Sequence, residues 1–121
     1  MAKEKIVICD DNEGVRESLR LILEDNYQLA FADNGFAAIE QVKNDSVSLV
    51  LLDIKMPRLN GIDTLKEILK IKPKTKVLFV TGYQYTDAAK DALKNGALDY
   101  IVKPFEPQEL KDAVKKALDK K

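Results

Sequence analysis

The sequence predicts a single α/β domain in which a doubly wound sheet of five parallel strands lies between layers formed by five helices. Short runs of branched apolar residues alternate with segments whose apolar residues recur at helical spacing. Such runs are typical of strands that are buried on both faces, as in parallel sheets. The length of 121 residues suits one domain that buries a core. Right-handed crossovers then place helices on both faces of the sheet.

The first half of the chain predicts three strands and two helices. The strands are expected at 6–9, about 28–31 and 49–52. Asn12 is a good N-cap for the first helix, which is expected to end near Asp25-Asn26. Helical spacing marks the inner faces of the two helices, by Val15, Leu19, Ile22 and Leu23 in the first and by Ala38, Ile39 and Val42 in the second.

The second half predicts two strands and three helices. A turn-rich loop at 56–61 leads into the third helix, which Lys72-Pro73 closes, and Asn95-Gly96 stops the fourth as a C-cap pair. The strands are expected at 77–80 and about 99–102. The inner helix faces are marked by Ile62, Leu65, Ile68 and Leu69, by Ala88, Ala89, Ala92 and Leu93, and by Leu110, Val114, Ala117 and Leu118.

The composition argues against several functions. The 20 Lys and Arg residues equal the 20 Asp and Glu residues, so bulk charge gives no attraction to nucleic acid or to an anionic membrane. The absence of His excludes a Ser/His triad, zinc-type ligation and an internal phosphohistidine. Cys9, the single cysteine, lies in a strand run and is expected to be a small core residue. The N-terminal apolar run is too short for a signal peptide or a membrane span, which favours the cytoplasm.

Polar side chains lie at the ends of four predicted strands. They are Asp10 and Asp11 after the first strand, Asp53 after the third, Thr81 after the fourth and Lys103 after the fifth. Because parallel strands end at one edge of the sheet, these groups are expected to converge in one crevice. Carboxylates about 4 Å apart repel by about 1 kcal/mol in water and about 4 kcal/mol at an effective dielectric constant of 20. Lys103 offsets part of this charge, and oxygen ligands without imidazole or thiolate favour Mg²⁺, with Mn²⁺ as the alternative.

A metal beside a carboxylate, a hydroxyl and an ammonium group suits phosphoryl transfer onto the carboxylate. Four stretches carry a family resemblance, namely Asp10-Asp11, 53–61, Thr81-Gly82 and 99–105. Together they resemble the receiver domain of two-component response regulators, and the resemblance covers essentially the whole chain. It implies the flavodoxin-like receiver topology and one receiver domain over residues 1–121, without an output domain.

The resemblance implies how the acidic residues divide the work. Asp53 is similar to the phosphoacceptor of the family. Asp11 and Asp53 look like direct Mg²⁺ ligands, Asp10 like a ligand through water, and the backbone carbonyl of Lys55 like a further ligand.

The remaining matched positions are similar to groups that respond to the phosphoryl group. Thr81 and Lys103 look like the residues that hold its oxygens. Tyr100 matches an aromatic side chain that changes rotamer as Thr81 is drawn toward the phosphoryl group, although its sequence context alone also fits a core aromatic. The Lys103-Pro104 bond resembles a cis peptide of the family. Gly61 matches a turn position, whereas locally it is also a simple loop glycine before a helix.

The implied function is that of a stand-alone response regulator that accepts a phosphoryl group from a partner's phosphohistidine. The partner would be a histidine kinase or a histidine phosphotransferase, and the chain would catalyse its own phosphorylation and dephosphorylation rather than turn over a separate substrate. Gly14, Lys55 and Tyr83 look like those of the sporulation-type phosphorelay intermediate. A chemotaxis-type regulator and the receiver fragment of a transcription factor remain alternatives. The expected oligomeric state is a monomer, or a weak dimer on phosphorylation.

A docking surface for the partner is expected beside Asp53. Gly14, Ser18 and Leu21 fall outside the core-facing stripe of the first helix and form a strip, with Tyr83 and Pro104 as further docking residues. Leu21 is then an exposed apolar residue, although single exposed leucines are also common without a function. The ring of Tyr83 is expected to shield the acyl phosphate from water.

Two other classes of protein share parts of this pattern. A flavodoxin-like cofactor binder shares the architecture, but Asp10-Asp11 would repel a cofactor phosphate where that class needs hydroxyl and amide groups. A haloacid-dehalogenase-type phosphatase would place two aspartates two residues apart after the first strand, whereas here they are adjacent. The absorbance of flavin and the turnover of a phosphate ester distinguish these classes from a receiver.

Overall fold

The computed structural model describes residues 3–120. Its five strands are all parallel and form one sheet in the order β2-β1-β3-β4-β5. The strands are β1 (Lys5–Cys9), β2 (Gln28–Ala32), β3 (Leu49–Leu52), β4 (Lys76–Gly82) and β5 (Asp99–Lys103). The predicted fold class is confirmed, with strand order reversing beside β1, between β1 and β3. Open α/β sheets place their ligand sites at the carboxyl ends of the strands near such a point.

Five helices connect and cover the strands. They are α1 (Glu13–Leu23), α2 (Gly35–Asn44), α3 (Gly61–Ile71), α4 (Thr86–Lys94) and α5 (Pro107–Asp119), with a 3₁₀ turn at Tyr83–Tyr85 before α4. The first helix ends two residues earlier than predicted, because the amides of Asn26 and Tyr27 both turn back to the carbonyl of Leu23. Within residues 3–120, every helix is too short or too polar to cross a bilayer.

The last two strands are longer than the sequence predicts. Thr81 pairs with Val102 and Gly82 with Lys103, so the polar residues expected beyond the strand ends belong to the ladder itself. Pairing continues there because β4 and β5 run side by side to the edge of the sheet. Two polar groups of the site are therefore held by backbone hydrogen bonds rather than by loops.

Three asparagines begin the helices that follow the first three strands. The side chains of Asn12, Asn34 and Asn60 each accept a hydrogen bond from the backbone amide three residues later, at 2.9 to 3.0 Å. Such caps satisfy one of the free amides at a helix start and contribute about 1 kcal/mol each. They fix α1, α2 and α3 at the carboxyl edge of the sheet.

The core has two layers because successive strand residues point to opposite faces. Val7 and Cys9 pack with residues of α2, α3 and α4, whereas Ile6 and Ile8 pack with residues of α1 and α5. The three central strands are buried throughout except at Lys5, Lys76 and Gly82. This double burial explains why their sequences read as continuous apolar runs.

Candidate functional site

The carboxyl ends of β1 and β3 bring three aspartates together. One carboxylate oxygen each from Asp10, Asp11 and Asp53 lies within 4.8 Å of the other two. Asp10 and Asp53 are buried, with 2% and 8% of their surface exposed, and Asp11 is exposed. The three side chains therefore converge, as the sequence predicts.

Lys103 reaches this cluster from the end of β5. Its Nζ lies 2.9 Å from Oδ2 of Asp10 and 3.1 Å from Oδ2 of Asp53. The other oxygen of each carboxylate accepts a backbone amide, from Asn12 to Asp10 at 2.9 Å and from Ile54 to Asp53 at 2.7 Å. The two buried carboxylates are thus oriented in the same way, with one oxygen on the backbone and the other on a shared ammonium group.

The electrostatics of the pair follow from burial and from this sharing. Burial raises the pKa of Asp10, and the charge of Asp53 acts in the same direction, against the amide of Asn12 and the ammonium of Lys103. Burial by itself lowers the pKa of Lys103, but the hydrogen bond to Asp10 and the charges of both carboxylates outweigh it, so the net change is upward. Lys103 therefore stays charged in the site.

Thr81 has the one buried side-chain oxygen or nitrogen that finds no hydrogen-bond partner within residues 3–120. The residue is fully buried near the end of β4, the neighbour of β3 in the sheet. A buried hydroxyl without a partner costs about 1–3 kcal/mol. Its hydroxyl therefore has a donor that no residue in 3–120 uses, although Thr81 is not among the residues that line the adjoining cleft.

A cleft of about 630 Å³ opens above these groups. Its lining consists of Asp10, Asp11, Asn12, Val15, Asp53, Lys55, Met56, Pro57, Gly82, Gln84, Tyr85 and Lys103. Sequence reasoning missed Gln84 and Tyr85, and it also missed Arg16, whose Nη1 donates to the backbone oxygen of Asp10 at 2.8 Å. A short turn after β4 and a basic residue in a first helical turn are too common to mark a site on their own.

The two tyrosines named from the sequence occupy different environments. The side chain of Tyr83 is 75% exposed and does not line the cleft, because the 3₁₀ turn directs Gln84 and Tyr85 there instead. This arrangement does not support the shielding role expected for Tyr83. Tyr100 is half-buried on β5 and packs against the core layer of α2, α3 and α4. Its partial exposure is compatible with both the core role and the switch role.

Gly61 contacts the backbone of Asp53 and Ile54. Its amide donates to the carbonyl oxygen of Ile54 at 2.7 Å. A Cβ at this position would clash with the carbonyl oxygen of Asp53 and would lie 2.9 Å from the carbonyl carbon of Asp53. Gly61 is the first residue of α3, and its backbone touches the backbone of Asp53. Only a residue without a side chain permits this close approach.

Three of the five predicted docking residues line a second, smaller groove of about 460 Å³. Gly14, Ser18 and Pro104 line it, together with Asn12, Val15, Ile22, Lys103, Phe105 and Pro107. Leu21 is 63% exposed but lies outside this lining, as does Tyr83. The groove shares Asn12, Val15 and Lys103 with the cleft, so the two depressions adjoin. The expected cis peptide between Lys103 and Pro104 is confirmed.

The donor set fits a hard divalent cation. Three carboxylates converge, and Lys55 lies at the same cleft with its neighbours Met56 and Pro57. Oxygen ligands of this kind suit Mg²⁺ and Mn²⁺.

The fold and this site define a receiver, and comparison with known proteins agrees. The chain belongs to the response regulator receiver domain family, whose model matches residues 6–115. Receiver domains of this family generally use Mg²⁺ and work with histidine kinases and phosphotransferases in two-component signalling. The family assignment favours phosphoryl acceptance over the phosphatase and flavodoxin-like alternatives.

Individual relatives differ in length. The chain is 39% identical over 119 residues to sporulation initiation phosphotransferase F of Bacillus subtilis, covering 98% of this chain and 96% of that protein. It is 40% identical over 114 residues to the transcriptional regulatory protein ZraR of Klebsiella oxytoca, covering 93% of this chain. The chain spans only 26% of the length of that ZraR protein.

A solved structure confirms the fold. The chain matches a CheY-like response regulator receiver domain protein from Methanospirillum hungatei with a TM-score of 0.91 and 32% identity. The match covers 98% of this chain and 95% of that one.

Proposed function

We propose that Asp53 accepts a phosphoryl group from the phosphohistidine of a partner protein and that the chain then passes this group on in a phosphorelay. The observation that carries the proposal is the arrangement around Asp53. Its carboxylate is buried at the end of β3, it is oriented by the amide of Ile54 and by Lys103, and the unpartnered hydroxyl of Thr81 lies near the end of the next strand.

The proposed transfer is an in-line displacement at phosphorus. A carboxylate oxygen of Asp53 attacks, the new P–O bond forms as the P–N bond to the partner's imidazole breaks, and the imidazole keeps the electron pair and takes a proton. The hydroxyl of Thr81 donates to one phosphoryl oxygen and so gains a hydrogen-bond partner. Lys103 donates to another phosphoryl oxygen and balances its charge.

Asp10, Asp11 and Asp53 would hold Mg²⁺ at this site, with the backbone carbonyl of Lys55 as a further ligand. When bound, the ion supplies positive charge for the oxygens of the incoming phosphoryl group. The support is the chemistry and closeness of the donors in the cleft. We also propose a cytoplasmic location, where receiver domains work with histidine kinases.

The switch would couple Thr81 to Tyr100. If the Thr81 side chain moves toward a phosphoryl oxygen, it changes the space beside β5, where Tyr100 is half-buried. We propose that Tyr100 answers by turning inward and so alters the exposed face of β5. Partner selection or weak dimerisation would follow from that change of surface.

The groove beside the cleft would receive the partner. Gly14 and Ser18 are small residues of its lining, whereas Pro104 and Phe105 supply apolar surface. The groove adjoins the cleft at three shared lining residues, Asn12, Val15 and Lys103. A helix that carries a phosphohistidine would lie there, with Leu21 and Tyr83 as more distant contacts. Because the chain has no histidine, the partner must supply one.

A receiver that regulates an output domain within a longer transcriptional regulator is the second candidate. The match to ZraR proteins favours it, because those proteins are about four times as long as the matched segment. The relay candidate is favoured by the nearly full-length match to the sporulation phosphotransferase. Return of the phosphoryl group from Asp53 to a histidine phosphotransferase distinguishes a relay from a regulator of a linked output.

The test of the acceptor uses acetyl phosphate and Mg²⁺ with the purified chain. Intact-mass spectrometry is expected to show one phosphoryl addition, and peptide mapping is expected to place it on Asp53. The Asp53→Asn variant keeps nearly the same shape and is expected to remain unlabelled, while Asp63→Asn, on the exposed surface of α3, labels as the wild type does. Labelling of Asp53→Asn at the wild-type rate would refute the assignment.

A further inference from the structure

The loop between β3 and α3 contains a strained turn. Arg58 has a φ of 71°, and it is the one residue other than glycine with positive φ between residues 3 and 120. The amide of Leu59 donates to the carbonyl oxygen of Pro57 at 2.8 Å, which closes a three-residue turn around Arg58. Turns of this kind with positive φ are rare and strained for residues with a side chain. The surrounding structure therefore has to hold Arg58 in place.

Phe36 provides the contact that holds it. The Cζ atom of Arg58 lies 5.0 Å from the centroid of the Phe36 ring, within cation–π range. Phe36 is 47% exposed at the second position of α2, so burial in the core does not account for its placement.

The first residue of α2 also lies close to Leu59 of the loop and to Thr64 of α3. A Cβ at Gly35 would clash with Oγ1 of Thr64 in α3 and would lie 3.2 Å from Cδ2 of Leu59. This close approach places the start of α2, which carries Phe36, directly against Leu59, the residue after Arg58. The stack has a rigid base on one side and a strained turn on the other.

The strained turn adjoins the lining of the cleft. Lys55, Met56 and Pro57 line the cleft and immediately precede Arg58. Met56 is buried, and its Sδ lies 3.4 Å from Sγ of Cys9 at the end of β1. Pro57 belongs to the turn, and only Met56 separates it from Lys55, so the turn is joined to the Lys55 carbonyl by a short stretch of backbone.

We infer that Phe36 and Arg58 are positioning residues for the metal side of the site. The stack between them holds the turn, and the turn holds the Lys55 carbonyl at the place where it serves as a ligand. This inference rests on the proposed function, in which that carbonyl binds Mg²⁺. It assigns a role to two exposed residues that have no polar contact with the aspartates.

The test exploits the strain at Arg58. Phe36→Ala removes the stack but leaves arginine in the strained turn, and it is expected to weaken Mg²⁺ binding about two- to fivefold, the equivalent of one exposed cation–π contact. Arg58→Gly also removes the stack, but glycine adopts positive φ without steric cost, so its affinity is expected to match the wild type. Adding Phe36→Ala to Arg58→Gly is then expected to change nothing. Isothermal titration calorimetry of the full chain with Mg²⁺ measures all four proteins.

A second measurement does not involve the metal. In metal-free protein, hydrogen exchange at the Leu59 amide reports the turn directly, and it is expected to be faster in Phe36→Ala than in the wild type. Phe31→Ala is the matched control, since Phe31 is a similarly exposed phenylalanine on β2, and it is expected to alter neither the exchange nor the affinity.

The outcomes separate the stack from the metal site. Unchanged affinity or unchanged Leu59 exchange in Phe36→Ala, with normal Mg²⁺ binding by the wild type, overturns the role of the stack alone. An equal loss of affinity in Phe36→Ala and in the double variant overturns it too, because relief of strain would then have no effect. Mg²⁺ binding that Asp11→Ala leaves unchanged overturns the proposed metal site, and with it this inference.

Discussion

Replacing Gly61 with alanine tests the closest approach of two backbones at the site. An added Cβ would clash with the carbonyl oxygen of Asp53 and would lie 2.9 Å from the carbonyl carbon of Asp53 and from Cα of Ile54. These atoms belong to the backbone, so no flexible side chain can move aside to make room. The start of α3 or the end of β3 has to shift by several tenths of an ångström.

The expected magnitude follows from two opposing effects. Alanine in a helix is about 1 kcal/mol more favourable than glycine. Overpacking in a tightly packed site costs about 1–3 kcal/mol and occasionally more. The clash is with three backbone atoms of the Asp53-Ile54 segment, so we expect the upper part of that range and a net loss of about 2 kcal/mol. For a domain of this size that corresponds to a fall in Tm of roughly 6–10 °C.

Function is expected to fall more steeply than stability. The amide of Gly61 donates to the carbonyl oxygen of Ile54, directly beyond Asp53, so a shift of α3 displaces the acceptor itself. Misplacement of a reacting group by about 1 Å can cost about a hundredfold in rate. We therefore expect labelling by acetyl phosphate to slow by about ten- to a hundredfold at a temperature where the variant is folded.

Gly14→Ala is the matched control for this experiment. Gly14 is exposed in α1, and an added Cβ would meet only Oδ1 of Asn12 at 3.1 Å. Its Tm is expected to stay equal or rise, and acetyl phosphate labelling is expected to be unchanged. Thermal unfolding by circular dichroism and labelling by mass spectrometry measure both variants. A Gly61→Ala protein with wild-type Tm and labelling would refute the argument that Gly61 fixes the position of Asp53.

Three further predictions concern the metal, the partner and the cysteine. Chelation of Mg²⁺ and Asp11→Ala are each expected to reduce acetyl phosphate labelling at least tenfold, and undiminished labelling in excess chelator would remove the metal from the reaction. Ser18→Glu and Leu21→Glu are expected to leave that labelling intact but to slow transfer from a cognate histidine kinase. The effect is expected to be larger for Ser18→Glu, because Ser18 lines the groove. Equal slowing of both reactions would indicate a damaged fold. Burial raises the pKa of Cys9 to about 12 from its ordinary 9.0. Native protein at pH 8 is therefore expected to resist alkylation of Cys9, and rapid alkylation would contradict this. The free energy of unfolding is expected to fall between about pH 9 and 12, because only the unfolded chain ionises this thiol in that range.

The site could be predicted from the sequence because its residues are tied to strand ends. Apolar runs locate the strands, the parallel arrangement brings their carboxyl ends to one edge, and Asp10, Asp53 and Lys103 then have little freedom in where they lie. Sequence reasoning also predicted the right type for each helix and strand, with errors of one or two residues at the ends. The error at β4 and β5 arose because polar residues were expected to terminate strands, whereas Thr81 and Lys103 continue the ladder.

Features that depend on the path of a loop could not be predicted in this way. Three consecutive residues after β4 include two tyrosines, and only the 3₁₀ turn decides that Tyr85 enters the cleft while Tyr83 stays in solvent. The stack of Arg58 on Phe36 joins residues 22 positions apart, through a backbone conformation that an arginine seldom adopts. Neither residue type carries a pattern that links it to the other.

The charges of the site explain why one lysine is associated with three aspartates. Three carboxylates carry three negative charges, Lys103 returns one, and the remaining two match a divalent cation. The ammonium group of Lys103 bridges the two buried carboxylates, with Nζ 2.9 Å from Asp10 and 3.1 Å from Asp53. The phosphoryl group that we propose on Asp53 would add negative charge at the same place and would offer Lys103 further charged acceptor oxygens. The lysine could then change partners without leaving the site, while Thr81, whose buried hydroxyl has no partner within residues 3–120, would gain one. In the proposed reaction, phosphorylation would be stabilised by Thr81 and Lys103, whose backbones are held by strand pairing before the phosphoryl group arrives.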